Sequence, residues 1–184
     1  MRKISCMKKH FLLIIIAGSF IFPGCLTFHR ISYELTLEND LKGEGIIRVY
    51  NIKSDAETDE EFDDDKKTLF DYMLKSGEFI SDMENEGKEI TSRRLYIKDD
   101  LLHAEVKFTF EDVRKVEGIA FEEGFYHLTM ELKDSIYSTN GEVIFSDDYK
   151  RIVWSSNEKT LLFDMLATDY EDTFYKDLAP YYKE

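Results

Sequence analysis

Apolar and polar residues alternate over residues 29–38. Ile31, Tyr33, Leu35 and Leu37 fall on one side, and Arg30, Ser32, Glu34, Thr36 and Glu38 on the other. A period of two predicts a half-buried strand. Turn residues at 39–43 and an apolar stretch at 45–52 predict the returning strand of a hairpin. The period then lengthens. Leu69, Phe70, Met73 and Leu74 recur at helical spacing, with Asp71 and Lys75 outside them. Gly77 is placed to break or end that helix. Phe79, Ile80 and Met83 predict a second short helix, closed by Gly87.

The second half reads as strands. Residues 89–98 form one, and Asp99-Asp100 a turn. Leu102, Ala104, Val106, Phe108 and Phe110 alternate with His103, Glu105, Lys107 and Thr109. Residues 111–116 predict one helical turn. Tyr126, Leu128, Met130 and Leu132 alternate again. Asn140-Gly141 is the strongest hairpin signal, because both residues tolerate the positive φ of a type I′ turn. It is expected to join 135–139 to 143–145. Residues 151–155 and 160–166 are expected to form a last hairpin. With no βαβ alternation and no internal repeat, the pattern predicts an α+β fold, mainly an antiparallel meander sheet covered by one or two helices.

The first twenty-five residues follow a different pattern. Arg2, Lys3, Lys8 and Lys9 are followed by an almost wholly apolar run from Phe11 to Phe22, then Pro23, Gly24 and Cys25. The run is about a dozen residues, short of the roughly 20 that span hydrocarbon as a helix. Positive, then apolar, then small is the layout of a secretory signal. The segment resembles a bacterial lipoprotein signal peptide. The resemblance implies cleavage between Gly24 and Cys25 and fatty acylation of Cys25. It also implies export to the cell envelope with a lipid anchor in the membrane. In a cell with two membranes, Leu26 and Thr27 do not look like the acidic inner-membrane retention signal, so the outer membrane is expected. The implied organisation is a signal at 1–24, a tether at 25–28, one α+β domain at 29–167 and an aromatic tail at 168–184.

Processing would change the composition. The chain has 24 basic and 38 acidic residues, a formal charge of -14. Loss of the four basic residues of the signal leaves 20 against 38, or -18. That balance argues against nucleic acid as a partner, because phosphates need a basic surface. It argues equally against adhesion to anionic lipid. Of the two cysteines, Cys6 would leave with the signal and Cys25 would carry lipid. No disulfide, thiolate nucleophile or zinc-thiolate site is then expected. The roughly 160 residues that remain are enough for one core.

Candidate chemistry is sparse. Asp55, Glu57 and Asp59 have the opening spacing of an EF-hand loop. Glu60 stands where glycine is required, however, and Lys66 where the bidentate glutamate should be. The acidic stretch 54–65 is read as a solvated linker, with charge that suits the N-terminus of the following helix. No metal or cofactor is expected. His103 and His127 fall on the polar sides of their strands and are read as solvent-facing. There is no HExxH, P-loop, dinucleotide fingerprint or GxSxG elbow, so no catalytic residue and no enzymatic activity are expected. The aromatics are the suggestive feature. Phe108, Phe110, Tyr126, Trp154 and Phe163 are candidates either for a core or for the walls of an apolar ligand pocket.

The order of elements resembles the LppM-like group of bacterial lipoproteins. The segments that carry the resemblance are Tyr33-Glu34-Leu35 with Gly43-Glu44-Gly45, the run from Val106 to Val113, and Ile152-Val153-Trp154 followed by Thr160-Leu161-Leu162-Phe163. It implies an envelope lipoprotein with a non-catalytic α/β domain that binds a lipid-like ligand or envelope component. The alternative is a structural or assembly lipoprotein acting through protein contacts.

Overall fold

The computed structural model describes residues 26–167 and 175–183. Strand β1 (Leu26–Leu37) and strand β2 (Gly43–Ser54) form the expected opening hairpin. Ile31, Tyr33, Leu35 and Leu37 are buried, as their alternation requires. The expected tether at 25–28 is corrected. Leu26, Thr27 and Phe28 are already strand, opposite Ser54, Lys53 and Ile52. The pair His29/Asn51 is skipped and Asn51 takes a φ of 56°, so Phe28 and Ile31 both reach the apolar side although three positions separate them. This irregularity hides the first strand residues from a strict period-two reading.

The acidic linker is also corrected. Helix α1 (Asp59–Lys67) begins inside it. Thr58 and Glu61 make a reciprocal capping box, and Asp59, Glu60 and Glu61 put negative charge at the helix N-terminus. Asp65 is not solvated; it is buried and accepts the Ser54 hydroxyl at 2.5 Å. A π-helical segment (Thr68–Met73) follows, in which the Leu74 N–H reaches back to the Leu69 carbonyl. Helix α2 (Gly77–Asn85) opens at Gly77, with Ser76 accepting the Phe79 N–H at 3.2 Å. The break at Gly77 is therefore also a start. Gly87 ends α2 at a φ of 83°.

Strands β3 (Glu89–Lys98) and β4 (Leu101–Phe110) pair as a hairpin, and a 3-10 turn (Val113–Lys115) follows. The chain then alternates between two sheets through β5 (Ala120–Glu122), β6 (Phe125–Met130), β7 (Ser135–Thr139), β8 (Glu142–Phe145), β9 (Lys150–Ser155) and β10 (Thr160–Leu166). The larger sheet runs β3-β4-β2-β1-β10-β7, with the short β11 (Lys176–Asp177) also on β2; the smaller runs β5-β6-β9-β8. Every pairing is antiparallel. The α+β expectation holds, but in place of one meander there are two sheets.

Two expected hairpins are corrected by this division. β7 pairs with β10 in the larger sheet and β8 with β9 in the smaller, so Asn140-Gly141 is a crossover between sheets. Neither residue has a positive φ. Asn140 works through its side chain: Oδ1 accepts from Trp154 Nε1 at 2.8 Å and Leu162 N at 2.9 Å, while Nδ2 donates to Thr160 O at 2.8 Å. A Cβ on Gly141 would stand 2.7 Å from the Trp154 ring nitrogen. The pair is selected for joining two sheets and clearing an indole. Likewise β9 and β10 belong to different sheets.

One face of the larger sheet carries two apolar clusters. Residues 102, 104, 106, 108 and 110 of β4 share that face by alternation. Phe108 and Phe110 enter the core between the sheets, and Leu102 packs beneath the helices with Leu69 and Leu95. The aromatic tail is partly anchored. Leu178 and Ala179 are buried in the helix-side cluster, and the Tyr182 hydroxyl donates to Leu95 O at 3.0 Å. Tyr170 and Phe174 lie outside the described residues, as do the signal segment, Gly24 and Cys25.

Candidate functional site: an apolar cavity under the helices

Between β1–β4 and the helical segments lies a cavity of about 130 Å³. Ile47, Val49, Ala104 and Val106 form its sheet wall, and Leu69, Met73, Leu74, Phe79 and Met83 its helical wall. Leu26 and Phe28 line it from the start of β1. The void has a local cause. On β4 the large residues Leu102 and Phe108 flank Ala104 and Val106, whose shorter side chains do not fill the space below the helices. The π-helical turn brings Leu69, Met73 and Leu74 to the same wall; such turns occur frequently at functional sites. Cavities of about 150 Å³ lined by aliphatic groups stay dry and take a benzene-sized guest. Met73 and Met83, unbranched and flexible, can adjust to a guest's shape.

The polar contribution to the walls comes from Thr27, Arg93 and Arg94. Arg93 is clamped. Its Nη1 donates to Met73 O and its Nη2 to Ser76 O, both at 2.9 Å. Burial pushes its pKa down. Arg94 reaches the other face of the sheet and pairs with Glu105 at 3.0 Å.

The five aromatic candidates lie elsewhere. Phe108, Phe110, Tyr126, Trp154 and Phe163 are all no more than 2% exposed and belong to the core between the sheets. Phe163 stacks on Tyr33 at 4.5 Å between centroids and meets Trp154 at 5.9 Å. Tyr126 satisfies its hydroxyl on Asp40 O at 2.9 Å. None lines this cavity; Phe108 and Phe110 also border shallower depressions elsewhere on the surface. In the sequence the cavity residues show only as the helical stripe of Leu69, Met73, Leu74, Phe79 and Met83, which reports a buried face and not a void, and as a small pair, Ala104 and Val106, within a strand of larger residues.

His103 is buried, 7% exposed, and not solvent-facing. It does project to the polar face of β4, but Tyr96 stacks on it at 5.2 Å and Tyr50 meets its edge at 5.6 Å. Asn51 N–H donates to Nδ1 at 3.4 Å and Nε2 faces Lys98 O at 3.3 Å, which assigns the proton to Nε2. Burial pushes its pKa down, so it stays neutral at neutral pH. His127 is half-buried and His29 exposed. Among the described residues no group of three or more His, Cys, Asp or Glu side chains is placed to hold a metal ion. None of their helices is long and apolar enough to cross a membrane.

Glu117 is the other unusual group. It is buried, with a φ of 52°, and its carboxylate oxygens accept no hydrogen bond. Lys88 Nζ stands 3.5 Å away and is shared with Glu86 at 3.1 Å. Burial pushes the Glu117 carboxyl up, against the pull of Lys88. The folded state therefore holds this proton more tightly than the unfolded chain. Stability from this group is greatest below the unfolded value of about 4.3 and falls as pH rises toward the folded value. Wild type is expected to gain stability relative to Glu117→Gln between about pH 7 and about pH 4.5. Urea unfolding of both proteins at the two pH values measures this; a constant difference would refute it.

These features define a class by architecture alone: a strand-rich α+β protein of two antiparallel sheets, with a helical cover over an apolar void. No family model, curated protein or solved structure matches the chain.

Proposed function

We propose that this chain is an exported bacterial envelope lipoprotein, anchored through Cys25, whose domain takes a lipid-like apolar ligand beneath the helices and performs no catalysis. The anchor half rests on the basic, apolar and Gly24-Cys25 succession. The ligand half is supported by one observation, the cavity of about 130 Å³ with almost wholly aliphatic and aromatic walls. Ligand sites are mostly apolar, as these walls are, and a space of this size takes one short alkyl segment of a lipid. Leu26 and Phe28 line the cavity immediately after the proposed lipid site, so the ligand site would stand close to the bilayer.

The test is native mass spectrometry of the full chain released from detergent. A co-purified lipid-sized mass beyond the covalent anchor is expected. A clean ligand-free mass that resists added lipid would count against the reading. The alternative, function through protein contacts, is favoured by edge strand β8, where Ile144 is 46% and Phe145 69% exposed. Unpaired edges of this type accept added strands.

A further inference from the structure

We propose that the cavity selects an amphipathic anion, an apolar chain ending in a carboxylate or phosphate, and that Arg93 holds the charged head. The proposal rests on the lipid-like reading above and specifies its ligand class.

The chain has 38 acidic residues, and Arg30, Arg48, Arg94 and Arg114 each pair with a carboxylate. Arg93 and Arg151 have no such partner among the described residues; Arg151 donates to Thr129 Oγ1 and lies over the Tyr149 ring, and of the two Arg93 lines the cavity. It reaches into the cavity wall from β3, held by the Met73 and Ser76 carbonyls and lying 5.6 Å from the Phe79 ring centroid. Two neutral carbonyls orient the guanidinium without neutralising it. Arg93 is half-buried, its pKa is lowered by that burial, and an ionic partner would offset the desolvation. Its remaining N–H groups form a planar fork suited to a carboxylate or phosphate. An anionic head would complete the pairing while its chain entered the void. A neutral lipid would leave the charge uncompensated.

The experiment uses the full chain in phosphatidylcholine nanodiscs, with ¹³C-labelled methionine methyls. Met73 and Met83 line the cavity, whereas Met130 and Met165 lie in the core between the sheets and serve as internal references. The probes are octanoate, octyl phosphate and 1-octanol. Binding is expected to shift Met73 and Met83 and to leave Met130 and Met165 in place. At least one anion is expected to bind about tenfold or more tightly than 1-octanol, the scale of a charge-assisted hydrogen bond. The tighter anion distinguishes a fatty-acid head from a phospholipid head. Arg93→Gln is expected to remove the preference for the anion, so that the ratio of anion to 1-octanol affinity falls to about one whatever the change in overall affinity. Arg93→Lys, which keeps the charge without the fork, is expected to retain part of it. Equal or tighter binding of 1-octanol by wild type, or an anion preference that survives in Arg93→Gln, would overturn the proposal and leave the cavity reading standing. If no probe moves Met73 or Met83, the cavity reading itself fails, and this proposal with it.

Discussion

Replacing Trp154 by alanine is expected to lower the unfolding free energy by about 3–5 kcal/mol, the usual cost of truncating a buried aromatic. That is a large part of the roughly 5–15 kcal/mol that keeps a domain folded. Trp154 is 1% exposed and belongs to β9 of the smaller sheet. Its ring meets Phe163 of β10 in the larger sheet, and its Nε1 donates to Asn140 at the crossover between them. Truncation leaves a void where the sheets meet and frees Asn140 Oδ1 of one partner. Trp154→Phe retains most of the packing and loses only the hydrogen bond, so its expected cost is smaller, about 1 kcal/mol for the bond plus the volume lost. Urea unfolding followed by circular dichroism measures both. Equal costs for the two variants would mean that packing between the sheets contributes little.

Cys25→Ala is expected to have the largest effect on location: complete loss of fatty-acid labelling and release of the chain from the lipidated membrane pool. One acyl chain binds a bilayer only marginally, whereas two or more hold stably, so an anchor of the proposed kind should leave little intermediate behaviour. The acidic balance works in the same direction. With 20 basic against 38 acidic residues after processing, the domain would have no electrostatic attraction to anionic lipid once the anchor is gone. Metabolic labelling with a fatty acid, combined with membrane fractionation, checks this. Labelling that persists in Cys25→Ala would contradict the anchor.

The strands of the fold were legible in the chain because period-two alternation reports one buried face directly, as in β1, β4 and β6. Which strands pair was not. A hairpin signal such as Asn140-Gly141 describes local backbone tolerance, and here the local preference yields to a tertiary demand: an amide that bridges two sheets and a glycine that makes room for Trp154. The same limit applies to β9 and β10, adjacent in sequence and separated between sheets. At the N-terminal end of β1, the skipped pair at His29 and Asn51 shifts the inward set and conceals Leu26 to Phe28. The acidic stretch 54–65 concealed the first turns of α1, because charges that favour a helix N-terminus resemble those of a solvated linker.

The cavity was less legible than the strands. Its walls are ordinary apolar residues, and a void is a property of the sizes of facing side chains, which periodicity does not report. The aromatic candidates were conspicuous for their size, and large rings fill space; Phe163 and Trp154 belong to the core between the sheets and do not line the cavity. Arg93 offered no signal at all in a chain rich in charge. Its significance comes from standing in the cavity wall without a carboxylate partner, which only the folded arrangement discloses.

The central claim is that the space beneath the helices is a ligand site, and Ala104 gives direct access to it. Ala104→Leu adds a side chain to the sheet wall of the cavity without touching the core between the sheets. Native mass spectra of wild type and Ala104→Leu, purified identically as full chains, are expected to show lipid-sized adducts on wild type and none on the variant, with both proteins folded by circular dichroism. Identical adducts on two folded proteins, or no adduct on wild type even after lipid is added, would contradict the account.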